Sequence, residues 1–116
     1  MPKAKRKLAL VEQLMAEASA ILSKAQAFAT MEMGQTAQPL WTSAASLQER
    51  IAPLLDANGE SREAAVYRMS AASCYEKAGD LIRAANLFLR FRRQPNAEAV
   101  ARRCARGLSG RILSPR

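Results

Sequence analysis

The sequence predicts an all-α fold, and three observations carry that prediction. Ala and Leu dominate the apolar residues, and both favour helix. Aromatics are few (Phe28, Trp41, Tyr67, Tyr75, Phe88 and Phe91), which suits Ala-rich helices that cross closely. Apolar residues recur at steps of three and four in segment after segment, while the strand-formers Val, Ile and Thr are scarce. A chain of 116 residues makes one domain. The spacing predicts about five antiparallel helices, at about 8–33, 39–57, 61–78, 80–93 and 96–108. They form a single domain at 8–109, between a basic N-terminal arm at 1–7 and a tail at 110–116.

In the first helix Leu8, Val11, Met15, Ala18, Leu22, Ala25 and Ala29 keep helical spacing, and Leu14, Ile21 and Phe28 add a second stripe. So broad a face predicts contact with two neighbours. Gly34 to Gln38 is the expected break, and Pro39 suits a first helical turn. Leu40, Ala44, Leu47, Ile51 and Leu54 line the second helix, in which Pro53 is expected to force a kink or an early end. Asn58-Gly59 is a stop, with Gly59 left-handed, and Ser61 is the expected cap of the third helix. Ala64, Tyr67, Ala71, Cys74 and Ala78 line that helix, with Ala65, Ala72 and Tyr75 beside them. Gly79 ends it and Asp80 caps the fourth, where Leu81, Ala84, Ala85, Phe88 and Phe91 are expected to be buried. Pro95 and Asn96 open a fifth, with Ala97, Val100, Ala101, Cys104 and Leu108 inward.

Charge is segregated. Lys3, Lys5, Arg6 and Lys7 open the chain, residues 8–80 carry nine acids against five bases, and residues 81–116 carry nine arginines against Glu98. Basic ends around an acidic middle point to an anionic partner at the ends, a nucleic-acid backbone or an acidic protein face. Glu12, Glu17, Lys24 and Glu32 in the longest apolar stretch argue against a membrane span, and no signal-peptide run follows the opening lysines. Cys74 and Cys104 fall on apolar positions of separate helices, as free thiols of a cytoplasmic protein would.

Catalytic chemistry is not expected. There is no histidine, so the commonest general base is missing. The serines Ser61, Ser70, Ser73 and Ser109 have no activating partner in sequence, two cysteines without His or a CxxC pair make no zinc site, and the glycines form no phosphate loop. Glu60 and Glu63 are first-turn acids that oppose the helix dipole. No enzyme activity, cofactor or metal is predicted.

Residues 71–95, AASCYEKAGDLIRAANLFLRFRRQP, resemble one tetratricopeptide repeat. Ala72, Tyr75, Gly79, Asp80, Ala84, Phe88 and Pro95 stand where that family has a small residue then an aromatic, a Gly-Asp-like turn, Ala then Phe, and a closing Pro. One 34-residue period earlier, Trp41 matches Tyr75 as an aromatic, but Arg50 replaces the small residue at Ala84. The N-terminal AEA followed by LSKAQAF is faintly similar to the start of the SNAP adaptors of membrane fusion, which stack comparable helical pairs.

The resemblance implies helical hairpins stacked in a small right-handed array or bundle. Its core would be Ala72, Tyr75, Gly79, Ala84 and Phe88, and an inner groove for peptides or helices of another protein would be lined by Val66, Met69, Ser73 and Glu76. These four differ from the basic set with which chaperone adaptors of that build grip a carboxylate. The leading expectation is thus a non-enzymatic protein–protein interaction module, a small adaptor or accessory subunit of a larger assembly. The alternative is a nucleic-acid-associated subunit that grips phosphates without sequence readout. It would use Lys3, Lys5, Arg6, Lys7, Arg90, Arg92, Arg93, Arg102, Arg103 and Arg106.

Overall fold

A computed structural model describes residues 2–91, with side chains from Leu8 to Arg90. Four helices account for them: α1 (Pro2–Thr30), α2 (Gly34–Ala57), α3 (Ser61–Ala78) and α4 (Leu81–Phe91). No strand occurs among the described residues, and none of their helices is long and apolar enough to cross a membrane. The expected fifth helix at 96–108 and the tail at 110–116 lie outside them. Helix α1 starts at Pro2, earlier than the expected Leu8, so the basic segment is helical from its second residue. Pro2 suits a first helical position, and the Lys, Ala and Arg that follow are good helix formers with no breaker among them.

The three connections are copies of one another. Each helix ends in a residue with positive φ, Glu32 at 59°, Gly59 at 80° and Gly79 at 88°. In each, the next amide donates back five residues: Met33 to Phe28 (2.8 Å), Glu60 to Leu55 (2.8 Å) and Asp80 to Tyr75 (2.9 Å). The left-handed residue's own amide donates to Ala29, Asp56 or Glu76, at 3.0–3.1 Å. This paired closure satisfies the last carbonyls of each helix and lets the next begin one residue later. The break after α1 is therefore at 31–33, and Gly34 starts α2. Glu60, not Ser61, precedes α3, and it makes no side-chain cap. Asp80 does cap α4, its Oδ1 accepting from the Arg83 amide at 3.2 Å.

Glutamate is poorly suited to the position it holds in the first turn, because an L side chain in the left-handed region costs about 1–2 kcal/mol. Glu32→Gly should therefore raise the unfolding free energy by about 0.5–1 kcal/mol. Gly79→Ala should lower it by about 1–2 kcal/mol. Its new Cβ would meet only Gln38 Nε2, at an ordinary 3.5 Å, so backbone strain alone sets the cost. Urea melts of the two variants against wild type check both signs.

Pro39 and Pro53 both lie inside α2, which neither starts at the first nor ends near the second. Each removes one intrahelical hydrogen bond. Both are exposed, and burial along the rest of the helix outweighs the loss. Trp41, Ala44, Ala45, Gln48, Ile51, Ala52 and Leu55 are all buried. The sequence pattern marked one apolar face, but α2 is covered on two sides, by α1 and α3.

Packing follows chain order: α1 on α2, α2 on α3, α3 on α4. Two core clusters show that neighbours run antiparallel. One joins Val11, Leu14 and Ala18 of α1 to Ile51, Ala52 and Leu55 of α2 and Ala64 of α3. The other joins Ala25 to Ala37, Trp41, Ala44 and Ala45, then to Ala71, Ala72, Cys74 and Tyr75, and to Ala84 and Leu87 of α4. Helix α3 is buried nearly all round, as its Ala- and Ser-rich sequence allows. In α4 the buried stripe is Ala84 and Leu87 with half-buried Phe88. Leu81 and Ala85, expected inside, are exposed, as are Ile82 and Leu89. Tyr75 is buried and Phe88 packs on the same cluster, with the chain reversing at Gly79 between them.

Candidate functional site

Four polar links lock α3 to α2. Gln48 Nε2 donates to Ser70 Oγ (2.8 Å), and the Cys74 thiol donates to Gln48 Oε1 (3.5 Å). The Tyr75 hydroxyl donates to Glu49 Oε1 (3.0 Å), and Arg68 Nη2 pairs with Asp56 Oδ2 at 2.6 Å. Gln48 is buried, so its two partners are what make an amide tolerable there. At the other end of the array, Lys77 Nζ lies 4.6 Å from the centre of the Trp41 ring. Helix α3 is thus held in a fixed register on α2, which sets the far wall of the cleft described next.

Because α1 and α3 both pack on α2, a groove runs between them with α2 as its floor. Its inner part, about 370 Å³, is lined by Met15, Ala18, Ser19 and Leu22 of α1, Gln48 of α2, and Glu63, Val66, Tyr67 and Ser70 of α3. Its outer part, about 540 Å³, is lined by Leu8, Val11, Glu12 and Met15, by Leu55, and by Glu60, Glu63 and Tyr67. Met15, Glu63 and Tyr67 belong to both parts and join them. The walls are mostly apolar, three carboxylates stand along them, and among the described residues no Lys or Arg lines either part. Burial, and secondarily the Glu63 charge, pushes the Tyr67 hydroxyl above its ordinary pKa, so it stays a neutral donor or acceptor in the groove.

The residues expected to line a groove are dispersed. Val66 does line the inner part, half-buried. Met69 and Ser73 are buried, at 1% and 2% exposure, and as placed cannot contact a ligand. Glu76 is exposed but lines neither part. Ala72, Tyr75 and Ala84, expected in a core, are buried. Of the expected anion contacts, Lys3, Lys5, Arg6 and Lys7 fall in the opening turns of α1, and Arg90 is exposed in the last turn of α4. Arg92, Arg93, Arg102, Arg103 and Arg106 lie outside the described residues. The breadth of the α1 apolar face is the sequence signal for this wall, which Leu8, Val11, Met15, Ala18 and Leu22 build, whereas Leu14, Ile21 and Phe28 line neither part. One helix, α2, does not cover so wide a face, which leaves Met15 and Leu22 half-buried.

The fold also holds two acidic groups neutral. Burial, then the hydrogen bond to Glu49, pushes the Tyr75 hydroxyl to about 12, and burial pushes the Cys74 thiol to about 11. In the unfolded chain they ionise near 10 and 9. Their contribution to stability is complete below pH 9 and falls as pH rises through 11 and 12, because only the unfolded chain releases these protons early. Urea midpoints should decline across that window, and Tyr75→Phe should make the decline above pH 10 shallower. Iodoacetamide should leave Cys74 unmodified in the native protein and label it in urea.

Comparison with family models, with curated proteins and with solved structures gives no match to this chain.

Proposed function

We propose that this chain is a non-enzymatic protein-interaction module, a small adaptor or accessory subunit of tetratricopeptide-like build that works in the cytoplasm. The observation that supports the reading most is the α1–α3 groove. It is mostly apolar and open, it is walled by two helices held apart on a third, and its buried amide is already satisfied. Apolar clefts of this kind accept a helix or strand of another protein, since covering them removes apolar area from water at about 25 cal/mol per Å². Further support is the exposed face of α4, where Ile82 is 77% and Leu89 55% exposed. Contiguous exposed apolar side chains commonly mark an interaction surface.

The test is mild cross-linking in the native extract, followed by sizing and mass spectrometry. The reading expects a stoichiometric protein partner, lost when Val66→Asp places a charge in the groove. A chain that sizes as a free monomer at native abundance would overturn it.

The second reading is the nucleic-acid subunit, and one observation favours it. Lys3, Lys5, Arg6 and Lys7 fall together in the first two turns of α1, a run of four bases at one helix end. Against it, residues 8–90 carry nine acids and seven bases, so the body of the array has no net positive charge. Salt titration with duplex DNA separates the readings. Each phosphate neutralised contributes a slope of about −0.9 in log affinity against log salt, and a flat weak response excludes nucleic acid.

A further inference from the structure

We infer that the α1–α3 groove receives a basic amphipathic helix of a partner protein, about four turns long; the inference rests on the protein-interaction reading and names the chemistry of the partner. Length comes from the α1 wall. Leu8 to Leu22 spans about 21 Å at a rise of 1.5 Å per residue, which about 14 residues of a guest helix would match. The walls offer Leu8, Met15, Leu22, Val66 and the Tyr67 ring to an apolar stripe. Met15 adapts its shape more readily than a branched side chain would. Ala18, Ser19 and Ser70 are small, and leave room for a third helix to approach α1 and α3.

Charge sets the sign of the guest. Glu12 and Glu60 are exposed on opposite walls, and among the described residues no Lys or Arg lines the groove. A guest helix with leucines inward and Lys or Arg along both flanks would place a cation against each wall. An acidic guest would meet like charge on both, and that repulsion discriminates more strongly than attraction at an exposed rim.

The probe is a labelled peptide of about 14 residues with leucines at steps of three and four and lysines elsewhere, paired with a twin carrying glutamates for lysines. Both are titrated against the full chain by fluorescence anisotropy at low and moderate salt. The lysine peptide should bind, more weakly at higher salt, and its twin should bind at least about tenfold less tightly. Glu12→Lys and Val66→Asp should each weaken the lysine peptide about tenfold or more, with helical circular dichroism and melting temperature unchanged. Equal binding of the twins, binding indifferent to both substitutions, or no binding would overturn the inference. So would a chain that is already a dimer and dissociates with either substitution, since a second copy would then fill the groove. None of these outcomes touches the protein-interaction reading, which stands or falls on the cross-linked partner.

Discussion

Trp41→Ala is expected to lower the unfolding free energy by about 3–5 kcal/mol, the range for truncating a buried aromatic. The ring is 5% exposed and sits in the cluster with Ala25, Ala37, Ala44, Ala45 and Ala72. Methyl-sized neighbours cannot swing into the space it leaves, so the cavity persists and the cost falls toward the upper end. The Lys77 ammonium over the ring adds only about 0.5–1 kcal/mol, so packing decides the result. Against a total of about 5–15 kcal/mol for a domain, the variant should be close to unfolded at moderate temperature. Urea unfolding followed by circular dichroism measures it. A loss under about 1 kcal/mol would mean that the ring is not enclosed as described.

Ala72→Leu should destabilise by about 1–3 kcal/mol, for the opposite reason. Ala72 is fully buried in α3, within a cluster built of alanines on α1, α2, α3 and α4. A larger side chain there has to push helix axes apart, which weakens every contact along the pair. Ala85→Leu is the control: it lies on the exposed face of α4 and should change stability by no more than about 0.5 kcal/mol. Equal melts for the two variants would show that small side chains do not set the helix separation.

The helical class and most helix positions were legible because the apolar spacing is regular and two of the three turns carry glycine at the left-handed position. The first turn was misplaced because Glu32 holds that position, and a lone Glu carries no turn signal, whereas Gly34 beside it does. The prolines of α2 misled for a related reason. A proline is unfavourable inside a helix, but its cost is local, and Trp41, Ile51 and Leu55 are buried on either side of Pro39 or Pro53. In α4, Leu81 and Leu87 are both apolar, and only the position of α3 decides which is covered. The groove was half legible: the width of the α1 stripe was visible, but the walls it forms with α3 depend on tertiary placement. A repeat pattern places Met69 and Ser73 on a groove, yet α3 is enclosed on more sides than one repeat implies.

The most direct test of the groove reads the methionine methyls by NMR while the lysine-rich peptide is added to the full chain. Met15 lines both parts of the groove, Met69 is buried, and Met31 and Met33 lie exposed at the α1–α2 turn. The Met15 methyl should shift in proportion to bound peptide while Met31, Met33 and Met69 stay in place. A shift confined to Met31 and Met33, with Met15 unmoved, would contradict a binding site between α1 and α3.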